Sequence, residues 1–110
     1  MSTSETEVRS STALHVTLTD DALTVELSDG RTLSVPLAWF PRLVHGTPAE
    51  RSSYVLVADG EGIHWPELDE DISVDSLLAG RASGENQESL RRWLQSRSGD
   101  LNKRRAPDAE

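Results

Sequence analysis

The sequence predicts a small α+β domain of β-β-β-α-β-β-α order, with an extra C-terminal helix and disordered tails. Three observations carry that expectation. Apolar and polar residues alternate across positions 14–35, the helical signals after Pro36 are each only a turn or two long, and a second β-favouring run begins at Tyr54. The 110 residues leave room for one folded domain plus tails, which excludes a multi-domain enzyme.

Leu14, Val16 and Leu18 alternate with polar neighbours, and Leu23, Val25 and Leu27 do so again after Asp20-Asp21. Two strands with one buried face follow. Ser28-Asp29-Gly30 is a second turn, with glycine available for a positive φ, and Leu33 and Val35 continue the same period to complete a meander. Pro36 ends it, because proline cannot donate to the ladder. Residues 37–44, interrupted by Pro41, are expected to form about one helical turn packing Trp39, Phe40 and Leu43.

Thr47-Pro-Ala-Glu50 has the spacing of a capping box with proline at the first helical position, so a brief helix is expected near residues 48–53. Tyr54–Ala58 reads as a strand, the turn Asp59-Gly-Glu-Gly62 follows, and Ile63 and Trp65 then share one face opposite His64. Ser73 is placed to cap a helix over 74–79, with Ile72 and Leu77 as its hydrophobic staple and Gly80 as its stop. A last helix is expected near 87–97, where Leu90, Trp93 and Leu94 form a narrow apolar stripe and Glu88 precedes Arg92 by four residues. A helix of that length is marginal alone in water, so it docks on the domain or on a partner.

The run from Gly62 to Gly80, with Trp65-Pro-Glu-Leu-Asp-Glu-Asp-Ile72 at its centre, resembles the signature of the bacterial domain family DUF2442. The Asp29-Gly30 turn, the segment Pro36 to Leu43 and the strand at Tyr54 match the family's order, so the resemblance covers about residues 13–81. It implies a small α+β fold without assigned catalytic activity. It also implies relatives that carry a helix-turn-helix domain downstream, and relatives encoded beside small toxin-like genes. Residues 82–110 are too few for such a domain and offer one helix, so DNA reading by an appended domain is not inferred. The expected organisation is a tail over 1–12, the domain over 13–81, an amphipathic helix over 82–98 and a second tail over 99–110, both tails being too polar to offset chain entropy.

The net charge of −8 is unevenly placed. Residues 1–80 carry fourteen carboxylates against four arginines, whereas residues 81–110 carry seven basic groups against five acidic ones. The body is therefore a poor ligand for nucleic acid and a reasonable partner for something basic. There is no cysteine, which removes disulfides and thiolate chemistry. No basic, apolar leader opens the chain and no apolar run has the length of a membrane span, so a soluble cytoplasmic protein that avoids membranes is expected.

Asp59 to Asp75 holds seven carboxylates and no lysine or arginine. One reading makes Asp69 and Asp71 caps of backbone N–H groups, with Asp75 favoured by the helix dipole. The other makes Glu67, Asp69, Glu70, Asp71 and Asp75 an acidic surface for a small basic protein; the two are compatible. As metal ligands, Glu67, Asp69, Asp71 and Asp75 start like an EF-hand loop but lack its glycine and terminal glutamate, so neither a metal nor any other cofactor is expected. His64 among these carboxylates has the chemistry of a general base, but no serine lies in a nucleophile context, and no catalytic residue is assigned.

Trp39 and Trp65 fall in the apolar phase of their elements and are expected in the core. Trp93 is an anchor, either for its own helix or for a partner or second copy. Arg91, Arg92 and Arg97, with Lys103-Arg104-Arg105, are the residues that would contact phosphate. The leading expectation is a non-enzymatic, antitoxin-like interaction module, with homodimerisation open. The alternatives are a DNA-associated regulator acting through the basic C-terminal segment and an uncharacterised metal-dependent activity.

Overall fold

The computed structural model describes residues 11–97. Of the tails expected over 1–12 and 99–110, residues 1–10 and all of 99–110, including Lys103-Arg104-Arg105, lie outside these residues. Two three-stranded antiparallel sheets, each a simple meander, make the framework. The first holds β1 (Ala13–Leu18), β2 (Ala22–Leu27) and β3 (Thr32–Pro36); the second holds β4 (Val55–Val57), β5 (Gly62–Trp65) and β6 (Glu70–Ser73). Between the sheets run a 3-10 turn (Leu37–Trp39), α1 (Pro41–Val44) and α2 (Pro48–Ser52). After them come α3 (Val74–Leu78) and α4, a helix over residues 87–97.

The fold is the expected α+β class, with one strand more than the periodicity suggests. β6 lies inside the acidic run, where Ile72 is the single apolar residue of four. It forms because β5 offers it a register, pairing Ile63 with Ile72 and Trp65 with Glu70. β1 also departs from strict alternation. A register shift between Ala13 and His15 rotates Ala13 and Val16 inward and leaves Leu14 62% exposed, where simple alternation would bury it.

The core joins Leu23, Val25 and Leu27 of β2 to Ile63 and Trp65 of β5, with Leu37, Phe40, Leu43, Leu68, Val74 and Leu77 from the connections. Trp65 is fully buried, and its indole N–H donates to the Arg51 carbonyl at 2.9 Å. Arg51 then closes α1: its guanidinium donates to the carbonyls of Leu43 at 2.8 Å and Val44 at 2.9 Å, groups that a helix end leaves without partners. The capping box forms as expected. The Glu50 N–H donates to Thr47 Oγ1 at 3.1 Å, and the Thr47 N–H donates to Glu50 Oε1 at 2.9 Å.

Ser11 and Thr12 belong to the folded body and not to a tail. The Thr12 carbonyl accepts from the Ser28 N–H at 2.8 Å, and the Ser11 hydroxyl donates to Asp29 at 2.6 Å. That hydroxyl and the Arg31 N–H hold the Asp29 carboxyl below its usual range. Among the described residues, no helix is long and apolar enough to cross a membrane.

Candidate protein-interaction surface

The hairpin of β5 and β6 sorts the acidic run into two groups. Gly62 pairs with Ser73 at one end and Trp65 with Glu70 at the other. Asp59, Glu61 and Asp75 collect at the first end, where the Val74 N–H donates to the Glu61 carbonyl at 2.9 Å. Glu67, Asp69, Glu70 and Asp71 collect at the second, about 10 Å along the strands. Asp75 is thus separated from the other four residues expected to act with it.

Neither Asp69 nor Asp71 caps the helix that follows. Ser73 does so, its hydroxyl accepting from the Ser76 N–H at 3.0 Å, and Ile72 and Leu77 are both buried as a staple requires. Asp69 turns the chain with a φ of 53° and receives Arg42, whose guanidinium donates to its carbonyl at 2.9 Å and lies 3.4 Å from its carboxylate. Asp71 lies on the outer face of β6 and pairs with His64 across the ladder, Nδ1 to Oδ1 2.5 Å. The side chains of Asp69 and Asp71 remain 82% and 76% exposed. Glu67 and Asp75 are exposed and make no ion pair among the described residues.

Glu70 is different in kind. The period of two that turns Ile72 inward turns Glu70 the same way, beside the buried Trp65. Burial, with Glu85, Asp71 and Asp69 close by, pushes its carboxyl up to about 7 despite the opposing charge of Arg42. A residue counted with the exposed acids on composition is therefore half-buried.

Arg42 is the cation missing from residues 59–75. Besides Asp69 it takes Glu85 in a two-pronged pair, Nε to Oε1 2.6 Å and Nη2 to Oε2 3.0 Å. The Glu85 side chain is only 7% exposed. Its carboxyl is held below the usual range by the Arg42 bond, against burial and with help from the Ser89 hydroxyl. The same bond raises the guanidinium of Arg42.

Trp93 packs on its own chain, against the core. Its ring lies between two guanidinium groups, Arg42 at 5.0 Å and Arg97 at 4.8 Å from the centroid. Arg97 also pairs with Glu50, Nη2 to Oε1 3.0 Å. Of the three arginines expected to contact phosphate, Arg97 is committed to this clamp, Arg92 makes an exposed pair with Glu88, and Arg91 is exposed. Local sequence gave no hint of Arg42, Glu50 and Glu85 as clamp residues, because their partners lie 43 to 47 positions away. Among the described residues, no group of three or more His, Asp or Glu is placed to hold a metal ion.

Two small antiparallel sheets with short connecting helices and a solvated acidic edge define a small α+β domain. The chain belongs to the family described as "Protein of unknown function (DUF2442)", whose model matches residues 13–83. Two solved structures share the fold. A protein of unknown function from Rhodospirillum rubrum is 23% identical with a TM-score of 0.61, over 70% of this chain and 95% of that one. An uncharacterised protein from Chromobacterium violaceum is 21% identical with a TM-score of 0.59, over 76% of each chain. No curated protein matches the chain.

Proposed function

We propose that this chain is a non-enzymatic, cytoplasmic protein-interaction module, antitoxin-like in role, that docks a small basic partner on the acidic edge at Glu67, Asp69 and Asp71. The observation that supports this most directly is the exposure of these carboxylates at one end of β6, even though Asp69 is paired with Arg42 and Asp71 is hydrogen-bonded to His64. Solvated acids on a rigid hairpin attract and orient a cationic surface while contributing little to their own domain's stability. Glu70 belongs to the support of this edge, and Asp75 lies outside it.

The experiment is a co-expression pull-down of the full chain with the products of its adjacent genes. A small basic product is expected to be retained at low salt and released as salt rises. Glu67→Lys with Asp71→Lys should abolish retention while leaving the folded tryptophan fluorescence intact. If no adjacent product is retained, or retention survives the charge reversal, the reading is wrong.

The DNA-regulator reading rests on Arg91 and Arg92, which are exposed on α4, and on the basic residues beyond Arg97. It predicts salt-sensitive retardation of duplex DNA that Arg91→Glu with Arg92→Glu eliminates. The clamp on Arg97 removes one of its three expected phosphate contacts, so the acidic-edge reading is preferred.

A further inference from the structure

α4 is held to the domain through its charged side chains. Its apolar stripe, Leu90, Trp93 and Leu94, is only half-buried. What fastens it is Glu85 in the fork of Arg42, Arg97 on Glu50, and the Trp93 ring between the two guanidinium groups. Upstream, the Ser83 N–H donates to the Trp39 carbonyl at 3.0 Å, and among the described residues no backbone bond to the domain follows it. Residues 84–97 are therefore a unit tied down by side chains, and it begins where the family match ends.

Arg42 serves more carboxylates than it can neutralise. Its Nε and Nη2 bond Glu85, and its Nη1 donates to the Asp69 carbonyl and lies 3.4 Å from the Asp69 carboxylate. That carbonyl belongs to the peptide that begins Glu70, so the half-buried Glu70, turned inward on β6, stands beside the same guanidinium. When ionised, Glu70, Glu85 and Asp69 set three negative charges around one positive. Asp71 adds a fourth from β6, its own bond going to His64 on β5, and Arg97 across the Trp93 ring is already matched by Glu50.

We propose that Glu70 is a pH-sensitive latch for α4: while its carboxyl is neutral Glu85 stays in the Arg42 fork, and once it ionises the crowded charges loosen Glu85 and α4 undocks more readily. Undocking carries the Glu85 charge away and leaves Arg42 beside Glu70, so Glu70 ionises more readily in the undocked form. Burial pushes the docked carboxyl up to about 7, with Arg42 opposing and Glu85 adding to the rise, which places the change in the neutral range. The contribution to docking is complete below the undocked value and is lost as pH rises through about 7. At the acid end, Glu85 and Glu50, both held below their usual range, must protonate before their bonds are lost. α4 is thus held most firmly in mildly acidic solution. The latch does not depend on the basic-partner proposal.

Amide exchange of the full chain at about pH 5.5 and pH 8, read as protection factors so that the intrinsic pH dependence cancels, tests the latch. Protection across 87–97 should fall about three-fold or more at the higher pH, a one-unit difference between docked and undocked Glu70 being a ten-fold change in docking. The fall should exceed that of the amides in β2. Glu70→Gln keeps the side chain's size without its charge and should hold protection near the acidic value at both pH values. Glu85→Gln removes the opposing charge and should lower protection at both while reducing its pH dependence. Circular dichroism confirms that each variant is folded. Protection across 87–97 that is equal at the two pH values, that falls no more than in β2, or whose pH dependence survives undiminished in either variant overturns the latch.

Discussion

Arg97, near the end of α4, bonds Glu50, the residue that completes the capping box of α2 47 positions earlier. One carboxylate therefore starts one helix and fastens another. Burial pushes the Glu50 carboxyl up, but the Arg97 bond, the Thr47 N–H and the Arg97 charge outweigh it and hold it below its usual range. α4 lies beyond the matched family residues 13–83, so this pair attaches an appendage to the family domain.

Thr47→Ala and Glu50→Ala separate the two roles. Thr47→Ala removes one cap bond and should cost about 1 kcal/mol of global stability. Glu50→Ala removes the reciprocal bond and the Arg97 partner together. Amide exchange distinguishes them: protection across residues 87–97 should fall in Glu50→Ala and stay near the parent value in Thr47→Ala.

Trp93 is the apolar half of the same attachment. Trp93→Ala removes the ring between Arg42 and Arg97 and should cost about 2 kcal/mol, less than a fully buried tryptophan because the site is half-exposed. Exchange should rise across 87–97 while β2 and β5 remain protected. Equal loss of protection in β2 would show that α4 is integral to the core.

What was legible in the sequence is local. The β1–β3 meander follows from period-two alternation, and the Thr47 and Ser73 caps follow from spacings of three residues, so each could be read within a short window. β6 was not legible, because Glu70-Asp-Ile-Ser73 carries one apolar residue and takes its register from β5. The density of charge over residues 59–75 is plain in the sequence itself. Its division did not show, since the same seven carboxylates look contiguous until the hairpin separates Asp75 from Asp71. Arg42–Glu85 and Arg97–Glu50 are tertiary pairs, and no periodicity encodes a partner more than forty residues away.

Glu70 gives stability an opposite pH dependence from its neighbours. Its folded pKa of about 7 lies above its ordinary 4.5, so the folded state holds this proton more tightly than the unfolded state. Its destabilising effect is absent below about pH 4.5, grows between 4.5 and 7, and is constant above. Glu50 and Glu85, both lowered, act the other way: their contribution is present above the ordinary carboxylate value and is lost as pH falls through their folded values. Glu70→Gln should therefore stabilise at pH 8 by on the order of 1 kcal/mol, discounted for partial exposure, and change little at pH 4. Denaturant unfolding at the two pH values checks this; equal effects at both would place Glu70 in solvent.

The turn that ends β4 holds a third kind of local conflict. Ala58, Asp59 and Gly60 occupy the left-handed region in succession, with φ of 53°, 57° and 91°. Gly60 has no alternative, because a Cβ there would lie 2.8 Å from the Ala13 carbonyl oxygen. Asp59 is a residue type that tolerates this conformation, and Ala58 is not. A left-handed alanine costs roughly 1–2 kcal/mol, and glycine relieves that cost while adding about 0.5–1 kcal/mol of chain entropy to the unfolded state. Ala58→Gly should thus raise stability by about 0.5–1 kcal/mol, read as a higher urea midpoint with an unchanged slope. Ala58 is exposed and its side chain packs against nothing in the core, so the gain comes from the backbone alone. Ala58→Val, which adds a β-branch at the same positive φ, should move the midpoint the other way.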